Sequence, residues 1–167
     1  MITRLRPATR VDQPLLAEAT LGNLNWKGPR FTMNQVRENP ALWHYIEPWP
    51  GPHDFGFVAE DETRAVIGVV WLKHFSASDP GYGFIDPTIP ELIVHVAASH
   101  RGRGVGGRLI TTAIDEARDQ GLTGVSLSVE DGNPAVRLYS RLGFLPAGPG
   151  YPGTYLLTLT PMERPLT

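Results

Sequence analysis

The chain has 167 residues, 41% of them hydrophobic and 19% charged, with a formal net charge of -2; this fits one globular domain over residues 1–167. That charge excludes bulk attraction to nucleic acid or anionic lipid and leaves only a local basic patch for an anionic partner. Cysteine is absent, which excludes disulfides, cysteine zinc sites and a cysteine nucleophile together.

In chain order, "ITRLRPAT" alternates apolar and polar residues and predicts a strand. From Val11 to Leu24 the apolar spacing predicts a helix, with Asp12 and Pro14 near its start, where both are tolerated. Residues 25–53 carry Trp26, Phe31, Trp43, Tyr45 and Trp49 between five prolines, and predict short helices around Met33–Glu38 and Ala41–Ile46. "DFGFVAED" and "AVIGVVWLKHF" predict two strands of a hairpin, followed by a Gly/Pro/Asp-rich loop over 76–90. "ELIVHVAA" predicts another strand. After it, Val105, Leu109, Ala113 and Ala117, flanked by Ile110 and Ile114, form the apolar stripe of a helix. "GVSLSV" predicts a strand and "NPAVRLYSRL" a helix with Asn133 as N-cap, ended by Gly143. "PAGPGYPG" predicts a loop and "TYLLTLT" a final strand. This order gives an α/β (α+β) fold with a single mixed sheet flanked by helices. The N-terminus shows no signal-peptide core, and no apolar run approaches twenty residues, so the expectation is a cytoplasmic protein.

The stretch Arg101–Arg108 holds four glycines and three arginines. Glycines at a helix start let the backbone approach a ligand closely, and the unpaired N–H groups of the first turn suit an anion such as a pyrophosphate. Gly102, Gly104 and Gly107 also fit G-x-G-x-x-G, with Glu130 downstream, as in a dinucleotide-binding unit. Against that reading, "ASHR" separates the glycines from the strand, and only 37 residues follow Glu130, too few for a doubly wound sheet. The alternative is R-x-x-G-x-G on Arg101, Gly104 and Gly106.

With "VAASHRGRGVGGRLI" and "GNPAVRLYSRLGF" in this order, the chain resembles the Gcn5-related N-acetyltransferase family, well over residues 54–147 and loosely before them. The resemblance implies a mostly antiparallel sheet of the acyl-CoA N-acyltransferase type, whose central strands "IVHV" and "GVSLSV" splay apart. It implies acetyl-CoA as co-substrate, with its pyrophosphate held at Arg101, Gly102, Arg103, Gly104, Val105, Gly106 and Gly107. Pantetheine would pair with the backbone of Val94 and Val96, and Asn133 would add a contact. It also implies that the Val96 N–H polarises the thioester carbonyl, that Tyr139 supplies a proton to the leaving thiolate, and that dimers can form.

Acetylation needs a neutral amine. A lysine-type amine with a pKa of about 10.4 is only about 1 part in 2,500 neutral at pH 7, and an α-amine near 8 about a tenth. Glu91 and His95, four apart on one strand and so on one face, are the candidate bases, with a water chain as the alternative. Ser128 stands where some relatives carry a base on the following strand. Without cysteine, transfer is expected to be direct within a ternary complex. Asp79, Asp86 and Glu47 are candidate attractors for a cationic small-molecule or peptide amine, although the default for such loop acids is plain solvation. The remaining histidines, His44, His53, His74 and His100, lack metal-ligand spacing, so no metal is expected. The rival reading is an acyl-CoA sensor with the groove but no turnover.

Overall fold

A computed structural model describes residues 2 and 4–160. Seven strands form one sheet in the order β1-β2-β3-β4-β5-β7-β6. The strands are β1 Arg4–Pro7, β2 Phe55–Glu60, β3 Val66–Lys73, β4 Glu91–Val96, β5 Val125–Glu130, β6 Leu145–Pro149 and β7 Thr154–Leu159. Every neighbouring pair is antiparallel except β4–β5. The helices are α1 Gln13–Leu24, α2 Met33–Glu38, α3 Pro40–Trp43, α4 Val105–Asp119 and α5 Ala135–Arg141. A single parallel pair inside an antiparallel sheet is incompatible with a doubly wound dinucleotide fold.

The sheet separates two apolar clusters. On one face α4 lays down Val105, Leu109, Ile110, Ala113, Ile114 and Ala117, all buried, against Val70, Leu72 and Leu127. These six are the stripe read from the sequence. On the other face Leu16, Val36, Leu42 and Ile46 of the α1–α3 region pack on Val69 and Trp71. Strand alternation assigns Val69 and Trp71 to one cluster and Val70 and Leu72 to the other. Ile67 breaks it because the β2–β3 register slips there, with Ala59 opposite Gly68 but Glu60 opposite Val66.

Three expectations need correction. Part of the "PAGPGYPG" loop belongs to a strand, β6, which pairs with β7. Pro146, Gly148 and Pro149 hide the alternation, and prolines are tolerated there because β6 is an edge strand with a register shift. The first helical turn, Arg10–Asp12, is 3-10, and Val11 is 82% exposed rather than part of the α1 apolar face. The second short helix spans Pro40–Trp43 and is capped by Asn39, whose side chain accepts from the Ala41 N–H. Of the expected first strand, Thr3 lies outside the described residues. No helix among the described residues is long and apolar enough to cross a membrane.

Candidate active site

The site begins where the sheet comes apart. β4 and β5 are paired at Glu91 and Ser126, with the Ser126 N–H also donating to Pro90 O at 3.0 Å. Beyond this pair the strands diverge. The Val94 carbonyl accepts from Asn23 Nδ2 at 2.9 Å and the Val96 carbonyl from Arg101 Nε at 3.2 Å. In an antiparallel ladder the backbone groups of alternate residues face opposite neighbours. Val94 and Val96 therefore turn theirs away from β3, into the gap. A cleft of about 910 Å³ occupies this gap, bounded by the end of α1, β4, the glycine turn, β5, α5 and the 151–154 loop.

At one end of the gap the chain turns into α4. Gly102 and Gly104 have φ of +74° and +82°, a left-handed conformation that L side chains rarely adopt. A Cβ at either would meet nothing within 4 Å, so backbone conformation, and not crowding, calls for glycine there. Gly104 is the N-cap of α4, and the first-turn N–H groups behind it face outward at the positive end of the helix dipole. Gly106 and Gly107 serve another purpose as well, since a Cβ there would sit 3.3 and 3.6 Å from Leu138 of α5. Arg101, Gly102, Gly104, Val105, Gly106 and Asn133 line the cleft, whereas Arg103 and Gly107 are not among the lining residues. Asn133 Oδ1 accepts from the Ala135 N–H at 2.9 Å, with Pro134 as the formal N-cap, so the capping role holds with a shift of one residue. Outward strand backbone, left-handed glycines and free helix amides together suit a long ligand carrying amides at one end and an anionic group at the other.

Tyr139 of α5 lines the cleft and is 9% exposed. Burial pushes its phenol up to about 12, so it is protonated at any physiological pH.

Glu91 and His95 do share a face of β4, the one turned toward α1. Glu91 is 3% exposed, and its Oε1 accepts from the Tyr45 hydroxyl at 2.7 Å and from the Gly83 N–H at 2.9 Å. The Tyr45 hydroxyl in turn accepts from the Tyr82 N–H at 2.7 Å. Burial raises the Glu91 carboxyl to about 7 against the opposing effect of those two hydrogen bonds. His95 Nδ1 lies 2.9 Å from Asn23 Oδ1. Burial, and then the charge of Arg101, hold its imidazole below the usual range.

The loop acids offered by the sequence do not assemble here. Glu47 and Asp79 line a separate cavity, where Glu47 accepts from Trp43 Nε1 and Asp79 contacts His44, while Asp86 closes a turn with Thr88. The carboxylates lining the cleft are Glu91 and Glu130, and Glu130 is paired with Arg30 at 2.6 Å. Sequence reasoning missed Asn23 and the pairings of Tyr45 with Glu91, of Arg30 with Glu130 and of Tyr82 with Tyr151, whose ring centroids are 5.1 Å apart; local patterns carry no signal for partners this distant. No group of three or more His, Cys, Asp or Glu suited to a metal occurs among the described residues.

The acetyltransferase (GNAT) family model matches residues 21–144. A mycothiol acetyltransferase of Parafrankia sp. is 34% identical over 125 residues, covering 69% of this chain and 37% of that protein. The matches cover 29% to 48% of the length of the curated relatives. Among solved structures, a GCN5-related N-acetyltransferase from Kribbella flavida is 25% identical with a TM-score of 0.67, covering 94% of this chain and 96% of that one. The Salmonella typhimurium protein yncA, solved with its cofactor acetyl-CoA, is 21% identical with a TM-score of 0.68, covering 98% and 96%.

Proposed function

Because the chain belongs to the acetyltransferase (GNAT) family, we propose that it moves the acetyl group of acetyl-CoA to a primary amine by direct transfer. The observation that carries this reading is the parting of β4 and β5 beside the glycine turn that opens α4. The first-turn amides of α4, with Arg101, would hold the pyrophosphate. The gap-facing N–H of Val94, whose carbonyl Asn23 holds, and the backbone of Val96 would pair with the pantetheine amides, and an N–H there would polarise the carbonyl. Arg101 leaves the Val96 carbonyl to do so. Bound in this way, acetyl-CoA supplies an activated acyl group. Tyr139 holds the proton for the departing thiolate, and a group on the α1-facing side of β4 takes one from the amine. The Tyr45–Glu91 pair and the Tyr82–Tyr151 wall border the acceptor side.

Thermal unfolding with acetyl-CoA, CoA and NAD at equal concentration tests the ligand. A ligand at about 100 times its Kd adds about 2.7 kcal/mol, several degrees for a chain of this size. The two CoA species are expected to give the shift and NAD none. Release of CoA thiol is then followed with spermidine, tyramine, a lysine peptide and a peptide with a free α-amine. A CoA shift without release from any of them would favour the sensor reading.

The Gly104→Trp variant is expected to lose that thermal shift. Its own stability should fall only by about 1–3 kcal/mol, because the site is sterically open and the penalty is the left-handed φ. Calorimetric titration with CoA checks it, and wild-type affinity would remove the cradle.

A further inference from the structure

We propose that Asn23 and His95 act as a pair: Asn23 fixes the imidazole tautomer, and His95 Nε2 accepts the proton that the acceptor amine gives up. The proposal rests on the acetyl-transfer reading above and assigns its proton acceptor.

A backbone carbonyl can only accept, so the Asn23 atom 2.9 Å from Val94 O must be the amide nitrogen. That contact fixes which way the amide is turned and presents Oδ1 to His95 Nδ1, also at 2.9 Å. An amide oxygen can only accept, so Nδ1 carries the hydrogen. In a neutral imidazole the other nitrogen, Nε2, then holds the free lone pair. The ring is also pinned from α1, since a Cβ on Gly22 would lie 2.5 Å from His95 Cε1. A side chain at that helix position would push the imidazole away from Asn23.

Nε2 is open. It makes no hydrogen bond among the described residues, and it is absent from the sealed, unpartnered atoms, which include Trp26 Nε1 and His44 Nε2. His95 lines the cleft. Glu91, the other basic group on this face, also borders the cleft, but its carboxylate oxygens are engaged or buried. Its Oε1 already accepts two hydrogen bonds, its Oε2 is buried without a partner, and a Cβ on Gly81 would fall 2.0 Å from Oε2. Of the two, His95 has the acceptor atom that a substrate can reach. α1 faces its ring with the neutral Gly22 and Asn23; Glu91 lies on the same face of β4, and Arg101 is the charged group whose field reaches it. Both burial and Arg101 favour the neutral imidazole that accepts a proton.

The step balances. The amine lone pair forms the N–C bond to the acetyl carbon and the C–S bond breaks. One N–H proton passes to His95 Nε2, and the thiolate takes the phenolic proton of Tyr139. Imidazolium and phenolate then re-equilibrate with water, leaving amide and thiol as products.

Two measurements test the pair. Long-range 1H–15N correlation of the 15N-labelled protein reads the tautomer without any acceptor. Wild type should show His95 protonated at Nδ1 and bare at Nε2, and Asn23→Leu should populate the Nε2–H form. With the best amine of the panel, His95→Gln should lower kcat by about 100-fold with CoA affinity retained. Asn23→Leu should lower kcat about tenfold. Asn23→Asp should restore much of that loss, with the acid limb of the kcat–pH profile moved to higher pH, because a carboxylate holds the same tautomer and raises the imidazole pKa. A carboxylate cannot donate to Val94 O, so a role confined to tying α1 to β4 would fail equally in both Asn23 variants, and that result overturns the pair. So does Nε2 protonated in wild type, or His95→Gln with wild-type kcat. If no amine is turned over, the transfer reading itself fails and takes the proton-acceptor role with it, while the spectrum still decides the tautomer lock.

Discussion

Tyr139→Phe is expected to lower kcat by about two orders of magnitude while CoA binds as it does to the wild type, the size of effect usual for a lost general acid. In that reading the phenol and the thiolate would share one environment. The burial that pushes Tyr139 up to about 12 also raises the pKa of a thiol placed beside it. The gap between them therefore stays close to the roughly 1.5 units separating phenol and thiol in water. Phenylalanine keeps the ring and its edge contact with Phe144, centroids 6.0 Å apart, so packing should survive and the loss should fall on chemistry. Steady-state release of CoA thiol, with calorimetric titration of CoA as the control, separates the two. Unchanged turnover would remove the acid role and leave Tyr139 as a core aromatic.

Asp54→Ala is expected to destabilise the fold by about 3–5 kcal/mol, a large part of the ~5–15 kcal/mol that holds a domain together. The carboxylate is 2% exposed and lies 3.2 Å from Lys73 Nζ, itself 5% exposed. It also accepts from the backbone N–H of Gly51 at 2.9 Å and of His74 at 2.8 Å. Removing it strands a buried ammonium with the Pro48 carbonyl, at 2.6 Å. Urea unfolding checks the figure, and adding Lys73→Met should recover part of the loss because the buried charge disappears with it. Burial alone would raise the Asp54 carboxyl, but the His74 and Lys73 hydrogen bonds outweigh it and hold the group below its usual range. A carboxyl lowered on folding stabilises at pH values above its unfolded pKa of about 3.9, and that contribution is lost as pH falls through the folded value. Wild type should therefore lose stability on acidification below about pH 4 more steeply than Asp54→Ala.

Legibility followed the range of the physics. The α4 stripe could be read because helix periodicity is local, and all six of its residues are buried. The splay of β4 from β5 came from the resemblance; no property of "IVHV" alone announces that its neighbour leaves. β6 was hidden because edge position, which permits Pro146 and Pro149, is a fact of the sheet and not of the segment. Glu91 and His95 were placed on one face by strand alternation. Their different accessibility could not be read, because it depends on Tyr45, 46 residues from Glu91, and on Asn23, 72 residues from His95. The aromatic segment serves both the core and the cleft. Trp49 is buried in the core and Trp26 lines the cleft, while Tyr45 and Phe31 pack on the core cluster and line the cleft as well.

The parting of β4 and β5 also affects the mechanics of the molecule. A sheet normally carries load across its width through an unbroken ladder, and here that ladder narrows to the pair at Glu91 and Ser126. Besides a polar bridge from Ser126 Oγ through Gly83 to Glu91, the two halves are joined by apolar packing: Leu72 and Leu92 on one side and Leu127 and Leu157 on the other share a single cluster beneath α4. Side-chain packing tolerates small rotations that a hydrogen-bonded ladder resists, so the seam can widen or narrow by repacking without breaking a strand. A ligand lying along it would replace the missing rungs and stiffen the joint, which would leave the molecule most rigid while loaded and loosest when it must let go.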